Sequence, residues 1–176
     1  RSNSINSEIL VAMSAPQIQF CFSEIENQPR VGPQFLTQED YSFLYQYMSQ
    51  YPTETRYPNY LMDSTYHPTY CKFIYYGSDK NEPINKNIRI FNKVGDAYGF
   101  LLDNAYVVDF ENQIEFMVSA VILCNEDEIF NDDVYEYDRV GFPFLKQLGQ
   151  EIHTYEMKRT KKYPPKLDHL KIKYDR

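Results

Sequence analysis

Most of the residues able to do chemistry in this chain are spaced in ways that build no site. His67, His153 and His169 lie far apart, with no HExxH or other ligand spacing, which argues against zinc. Cys21, Cys71 and Cys124 are odd in number and widely separated, so they form neither a disulfide framework nor a CxxC pair and read as buried thiols. The seven carboxylates from Glu126 to Asp138 lack the glycine and the alternating ligands of an EF-hand, and read as a solvated loop. There is no GxSxG elbow and no P-loop. One short triplet stands apart by its position. Lys93-Val94-Gly95 closes a strand-like run, which puts a cation and a residue without a Cβ side by side at a strand end.

The elements that would position these residues can be read from periodicity and turn chemistry. Thr37 is an N-cap with Asp40 three residues on, and Tyr41, Leu44, Tyr45 and Met48 follow at helical spacing until Pro52 ends the run. Pro68 suits the first turn of a second helix, through Tyr70, Cys71, Phe73 and Ile74 to a stop at Gly77. From Asn87 the period changes from helical to extended. Three strands are expected, at about 87–96, 98–110 and 114–124. The short Asp109–Gln113 turn makes the last two an antiparallel hairpin. The third strand is almost wholly apolar, as a central strand covered on both faces would be. A final helix, at about 138–159, lines up Val140, Phe144, Leu145, Leu148, Ile152 and Tyr155 on one stripe. Toward the N-terminus, Ile18–Phe22 alternates like a short strand.

With 176 residues the chain has room for one α+β domain, an antiparallel sheet flanked by helices over residues 1–159, followed by a basic tail at 160–176. The start at Arg1 favours a trimmed or partial chain, so the domain is expected to be incomplete. The net charge of −7 is uneven: residues 157–176 carry eight basic side chains against two acidic ones, a net of +6, which leaves −13 on the rest. Such an acidic body would repel a nucleic-acid backbone, and the tail is expected to dock on it by charge. Tyrosines, 17 of them, are expected to be half-buried with their hydroxyls outward. No apolar run approaches the ~20 residues of a membrane-spanning helix, and the polar N-terminus has no signal-peptide core.

The context of the triplet carries more than the triplet. Lys93-Val94-Gly95-Asp96-Ala97-Tyr98-Gly99-Phe100, continuing to Val108, resembles the strand, turn and strand that follow the Lys-Thr-Gly box of class A β-lactamases and related penicillin-recognising serine hydrolases. The order over 87–159 (motif strand, glycine-containing turn, second strand, apolar third strand, long helix) is also that family's order. The tyrosine-rich lead-in from Thr37 to Gly77 looks like the segment before the box in a Gram-negative branch, so the resemblance spans roughly residues 35–159. It implies the C-terminal part of the serine β-lactamase/transpeptidase fold, acting in the periplasm or cell envelope on a β-lactam, a cell-wall peptide or a small ester, without a cofactor. It implies a catalytic role for Lys93, as the cation that attracts the substrate carboxylate. Gly95 would let substrate backbone approach the strand, and the backbone N–H of Asp96 would serve in the oxyanion hole.

The departures from the family pattern bear on function. Val94 replaces the usual hydroxyl residue, and Asp96 sets a carboxylate where an anionic substrate would lie. None of the ten serines has a lysine three residues on, so the Ser-x-x-Lys nucleophile is missing and no acyl-enzyme should form on this chain alone. Ser119 is expected to be out of reach within the apolar third strand. The resemblance thus implies that the serine, in an N-terminal portion of the same protein, lies outside this chain. A non-catalytic binding module on the same fold, and an unrelated α+β domain, remain alternatives. The Lys93 strand must be a sheet edge beside a cleft if the resemblance holds.

Overall fold

Thr37 starts the first helix, α1 (Gln38–Ser49), by the reciprocal pairing its spacing predicts. Its hydroxyl accepts the Asp40 N–H at 3.2 Å, and the Asp40 carboxylate accepts the Thr37 N–H at 2.6 Å. This is a computed structural model, and it describes residues 37–174; the strand expected at Ile18–Phe22 lies outside the described residues.

The second expected helix, over 68–77, does not form. Turns occupy this stretch, followed by a single helical turn, α2 (Phe73–Tyr76), in which Ile74 has ψ 129° and Tyr75 has φ 78°. The physical reason lies in burial. Phe73, Ile74 and Tyr76 all enter the core, and the non-helical backbone at Ile74 and Tyr75 is what the packing there selects. The Ile74 N–H goes to the Asp103 carboxylate at 2.9 Å instead of to a helical carbonyl. Gly77 does end the segment in the left-handed conformation, φ 61°.

The three strands follow as expected: β1 (Ile88–Ala97), β2 (Phe100–Asp109) and β3 (Ile114–Leu123), an antiparallel meander in the order β1-β2-β3. Tyr98 and Gly99 both have positive φ, the signature of a two-residue hairpin turn. Lys93 pairs with Asn104, and Asn104 with Ser119, which fixes the register across the sheet. The central strand is β2, not β3. The apolar character of β3 comes chiefly from one face: Ile114, Phe116, Val118, Ala120 and Ile122 all point into the main core.

That core is closed by α3 (Phe142–Lys158), which a π-turn at Tyr137–Gly141 leads into. Leu145 is fully buried, and Val140, Phe144, Leu148 and Ile152 pack around it as their spacing predicts. Tyr155 departs from the expected stripe and is 65% exposed. The other face of the sheet is covered by α1 and by the chain after α3. Leu167 and Leu170 are buried there against Phe91 and Val108, with Tyr45 and Met48 of α1 alongside. The described part of the tail, 160–174, is therefore anchored chiefly by apolar contact. Its Lys171–Asp168 pair is solvent-exposed, whereas the Tyr174 ring stacks under the Arg89 guanidinium at 4.4 Å. Not all tyrosines form a rim, either: Tyr51 and Tyr76 are buried outright.

Candidate functional site

Among the described residues, β1 is an edge strand, and a cleft of about 360 Å³ runs along it. One wall is β1 at Asn92, Lys93 and Val94; the other is built by the end of α1 and the tyrosine-rich stretch that follows it. Tyr60, Tyr66 and Tyr70 form a ladder in that second wall, with ring centroids 4.4 and 5.1 Å apart.

The direction of the backbone groups along this edge can be derived. The Ile88 carbonyl accepts the Tyr51 hydroxyl at 3.2 Å, and the Ile90 carbonyl accepts the Lys72 ammonium at 2.9 Å, so both point away from β2. In an antiparallel strand alternate residues direct their N–H and C=O groups to the same side. The register is unbroken to Ala97, so Asn92, Val94 and Asp96 also point outward. Tyr51 and Lys72 thus close the first half of the edge, and the stretch from Asn92 to Asp96 remains as a short outward ledge, of which Asn92, Lys93 and Val94 line the cleft while Gly95 and Asp96 lie beyond its lining.

The residues singled out from sequence fall on this ledge. Lys93 roots on the strand face turned away from the main core and is exposed. Its ammonium donates to the outward Val94 carbonyl at 2.6 Å, which brings the charge to the edge. Gly95 has neither a positive φ nor a tight neighbour: a Cβ there would meet only Leu102, at 3.4 Å. Neither the backbone nor the packing of the described residues requires glycine at 95. The Asp96 N–H faces outward. By alternation its carboxylate lies on the opposite strand face from Lys93, where its charge helps to raise the Tyr70 phenol, after the larger effects of Cys71 and burial.

Two features were not foreseen. Ser119, expected to be out of reach, is exposed on the same face and cross-strand row as Lys93, with its hydroxyl bonded to the Asn104 side chain. Strand alternation turns it away from the apolar core despite its apolar neighbours. The larger surprise is Lys72, which is 4% exposed. Its ammonium donates to the Met48 carbonyl at 2.8 Å, the Ile90 carbonyl at 2.9 Å and the Asn92 amide oxygen at 2.7 Å. The Asn92 amide nitrogen donates onward to both oxygens of Asp103, at 3.0 and 3.1 Å, and to the Cys71 carbonyl at 2.9 Å. Burial pulls the Lys72 ammonium down to about 7, against the nearby negative charge of Asp103. Burial likewise raises the Asp103 carboxyl. Cys71 is half-buried in the cleft wall, and burial raises its thiol. A sequence signal for this cluster existed: Lys72 interrupts an apolar run, and Asp103 occupies an inward position between Leu101 and Ala105.

Among the described residues, no three His, Cys, Asp or Glu side chains gather as a metal site, and no helix is long and apolar enough to cross a membrane. No family model, curated protein or solved structure matches the chain.

Proposed function

We propose that this chain is the C-terminal portion of a β-lactamase-like serine hydrolase, acting on an amide or lactam carbonyl through an acyl-serine that lies outside it. The observation that supports this reading best is the ledge from Asn92 to Asp96. An extended acyl group laid along it would meet outward backbone groups at Val94 and Asp96, with the Lys93 ammonium at the same edge and no Cβ at Gly95. The Asp96 N–H would stabilise the oxyanion of the tetrahedral intermediate. A donor of this kind contributes about 3–4 kcal/mol in acyl transfer. The substrate is a β-lactam, a cell-wall peptide or a small ester, met in the periplasm or cell envelope, and the N-terminal portion of the same protein completes the cleft.

The test uses the full-length parent that this reading requires. Incubated with excess benzylpenicillin, that protein should gain one adduct mass on a serine that is followed three residues on by lysine. Lys93→Ala should lower the acylation rate by about two to three orders of magnitude, the scale of losing a key electrostatic contact. This chain alone should gain no adduct. A stoichiometric adduct on one of its own serines, or unchanged kinetics in Lys93→Ala, refutes the reading. The tyrosine ladder supports a second reading, a binding module that holds ring-bearing ligands without chemistry. It predicts saturable binding and no acylation in the longer protein.

A further inference from the structure

Only half of the free β1 edge is open, and the group that ends the closed half is a charge buried under the cleft. We propose that Lys72 is a register stop, its ammonium seated on the Ile90 carbonyl so that an extended ligand can add to β1 only from Asn92 onward. This rests on the reading of the ledge as a ligand site.

The geometry favours the charged form as the working one. An ammonium has three N–H donors, and Lys72 has three acceptors at 2.7 to 2.9 Å. A neutral amine would leave one of them without its donor and would turn a lone pair toward it. A partner strand needs the Ile90 carbonyl for its own ladder hydrogen bond, so it cannot pair there while the buried Lys72 ammonium holds that oxygen; the Lys93 ammonium on the Val94 carbonyl is exposed and can swing into solvent, so it sets no such stop. The same ammonium ties the end of α1, through Met48, to β1, and so sets the width of the cleft where it begins.

Every charged or titratable group facing Lys72 bears on how firmly the stop is held. Asp103 of β2 favours the ammonium through Asn92; Glu54, in the turn after α1, favours it from farther away, and so does the neighbouring Cys71 thiol. Arg89, two residues before Phe91 on β1, opposes it. The Tyr51 ring lies 5.9 Å from the ammonium and adds a weak attraction. The balance makes the stop sensitive to pH near neutrality, where Lys72 titrates at about 7.

The first arm of the test needs no ligand. In protein labelled with ¹⁵N at the lysine side chains, one slowly exchanging ammonium resonance should be visible at pH 6. It should fade as the pH rises through about 7, and the Ile90 carbonyl ¹³C resonance should shift with the same midpoint. Absence of a protected ammonium, or an Ile90 carbonyl indifferent to pH, overturns the stop. The second arm titrates ¹⁵N-labelled protein at pH 6 with N-acetyl-D-alanyl-D-alanine and with the same dipeptide extended by three residues. Both should move the Val94 and Asp96 amides and leave Ile88 and Ile90 in place, with affinities that differ less than twofold. In Lys72→Met the longer peptide should gain affinity over the shorter and move Ile90 as well. Shifts at Ile90 in the unsubstituted protein overturn the stop but leave the ledge. Failure of both peptides to move any β1 amide overturns the ligand site and the stop together. Should Lys72→Met fail to fold, the ammonium signal and the unsubstituted titration still decide the matter.

Discussion

Asp103→Ala is the substitution that most directly tests how the cleft is built. The Asp103 carboxylate is wholly buried and accepts hydrogen bonds from the Ile74 N–H and from the Asn92 amide. Its removal leaves the Ile74 N–H without that acceptor, and it takes away the negative charge that supports the buried Lys72 ammonium through Asn92. Breaking a buried charged network from one side costs on the order of 3–5 kcal/mol, the orphaned donor included. Against a typical domain stability of about 5–15 kcal/mol, that would leave the protein marginal. Urea unfolding followed by tyrosine fluorescence is a clean assay, because the sequence has no tryptophan. The pH dependence carries the diagnosis. The folded state holds the Lys72 proton less firmly than the unfolded chain does, so the cost of burying that charge is present below the folded pKa of about 7 and fades as pH rises. Without Asp103 the Lys72 proton leaves at still lower pH. The Asp103 carboxyl, raised in the folded state, costs the unsubstituted protein stability as pH rises through its own titration. Both effects have the same sign, so the deficit of Asp103→Ala should be largest near pH 5 and should shrink toward pH 7. A loss below about 1 kcal/mol, or a deficit constant from pH 5 to 8, would refute the coupling of Asp103 to a buried charge.

Two further substitutions probe the layers that hold the cleft in place. Leu170→Ala should cost about 2–5 kcal/mol, because the side chain is buried against Phe91 and Val108, and the loss should be nearly independent of salt. An intact midpoint in Leu170→Ala with strong salt sensitivity of the parent would return the C-terminal segment to charge docking. Gly149→Ala should destabilise by about 3 kcal/mol or more, since its new Cβ would stand 2.4 Å from the Tyr75 backbone nitrogen. A neutral Gly149→Ala in thermal unfolding would show that α3 can move away from the Tyr75 turn freely.

Elements made by local rules were legible in the sequence. The Thr37–Asp40 cap, the stop at Gly77, the hairpin about Asp109–Gln113 and most of the α3 stripe depend on residues a few positions apart, whereas Tyr98 and Gly99, read as the start of the second strand, form the turn before it. For the same reason the α+β class and the strand carrying Lys93 could be placed, since period-2 alternation and turn chemistry are properties of a short window. What depended on distant partners could not be read. Residues 68–77 carry a proline start and a glycine stop that suit a helix, but the Asp103 carboxylate, twenty-nine residues beyond Ile74, takes the N–H that a helix would use. The basic segment after α3 has the look of a charged tail, yet two leucines in it meet the face of a sheet formed some sixty residues earlier. Lys72, the group that divides the β1 edge, interrupts an apolar run in the sequence, but the run does not say which acceptors it meets. Only the tertiary structure gathers the Met48, Ile90 and Asn92 oxygens around it, because a buried charge is tolerated only where the fold supplies acceptors from several elements at once.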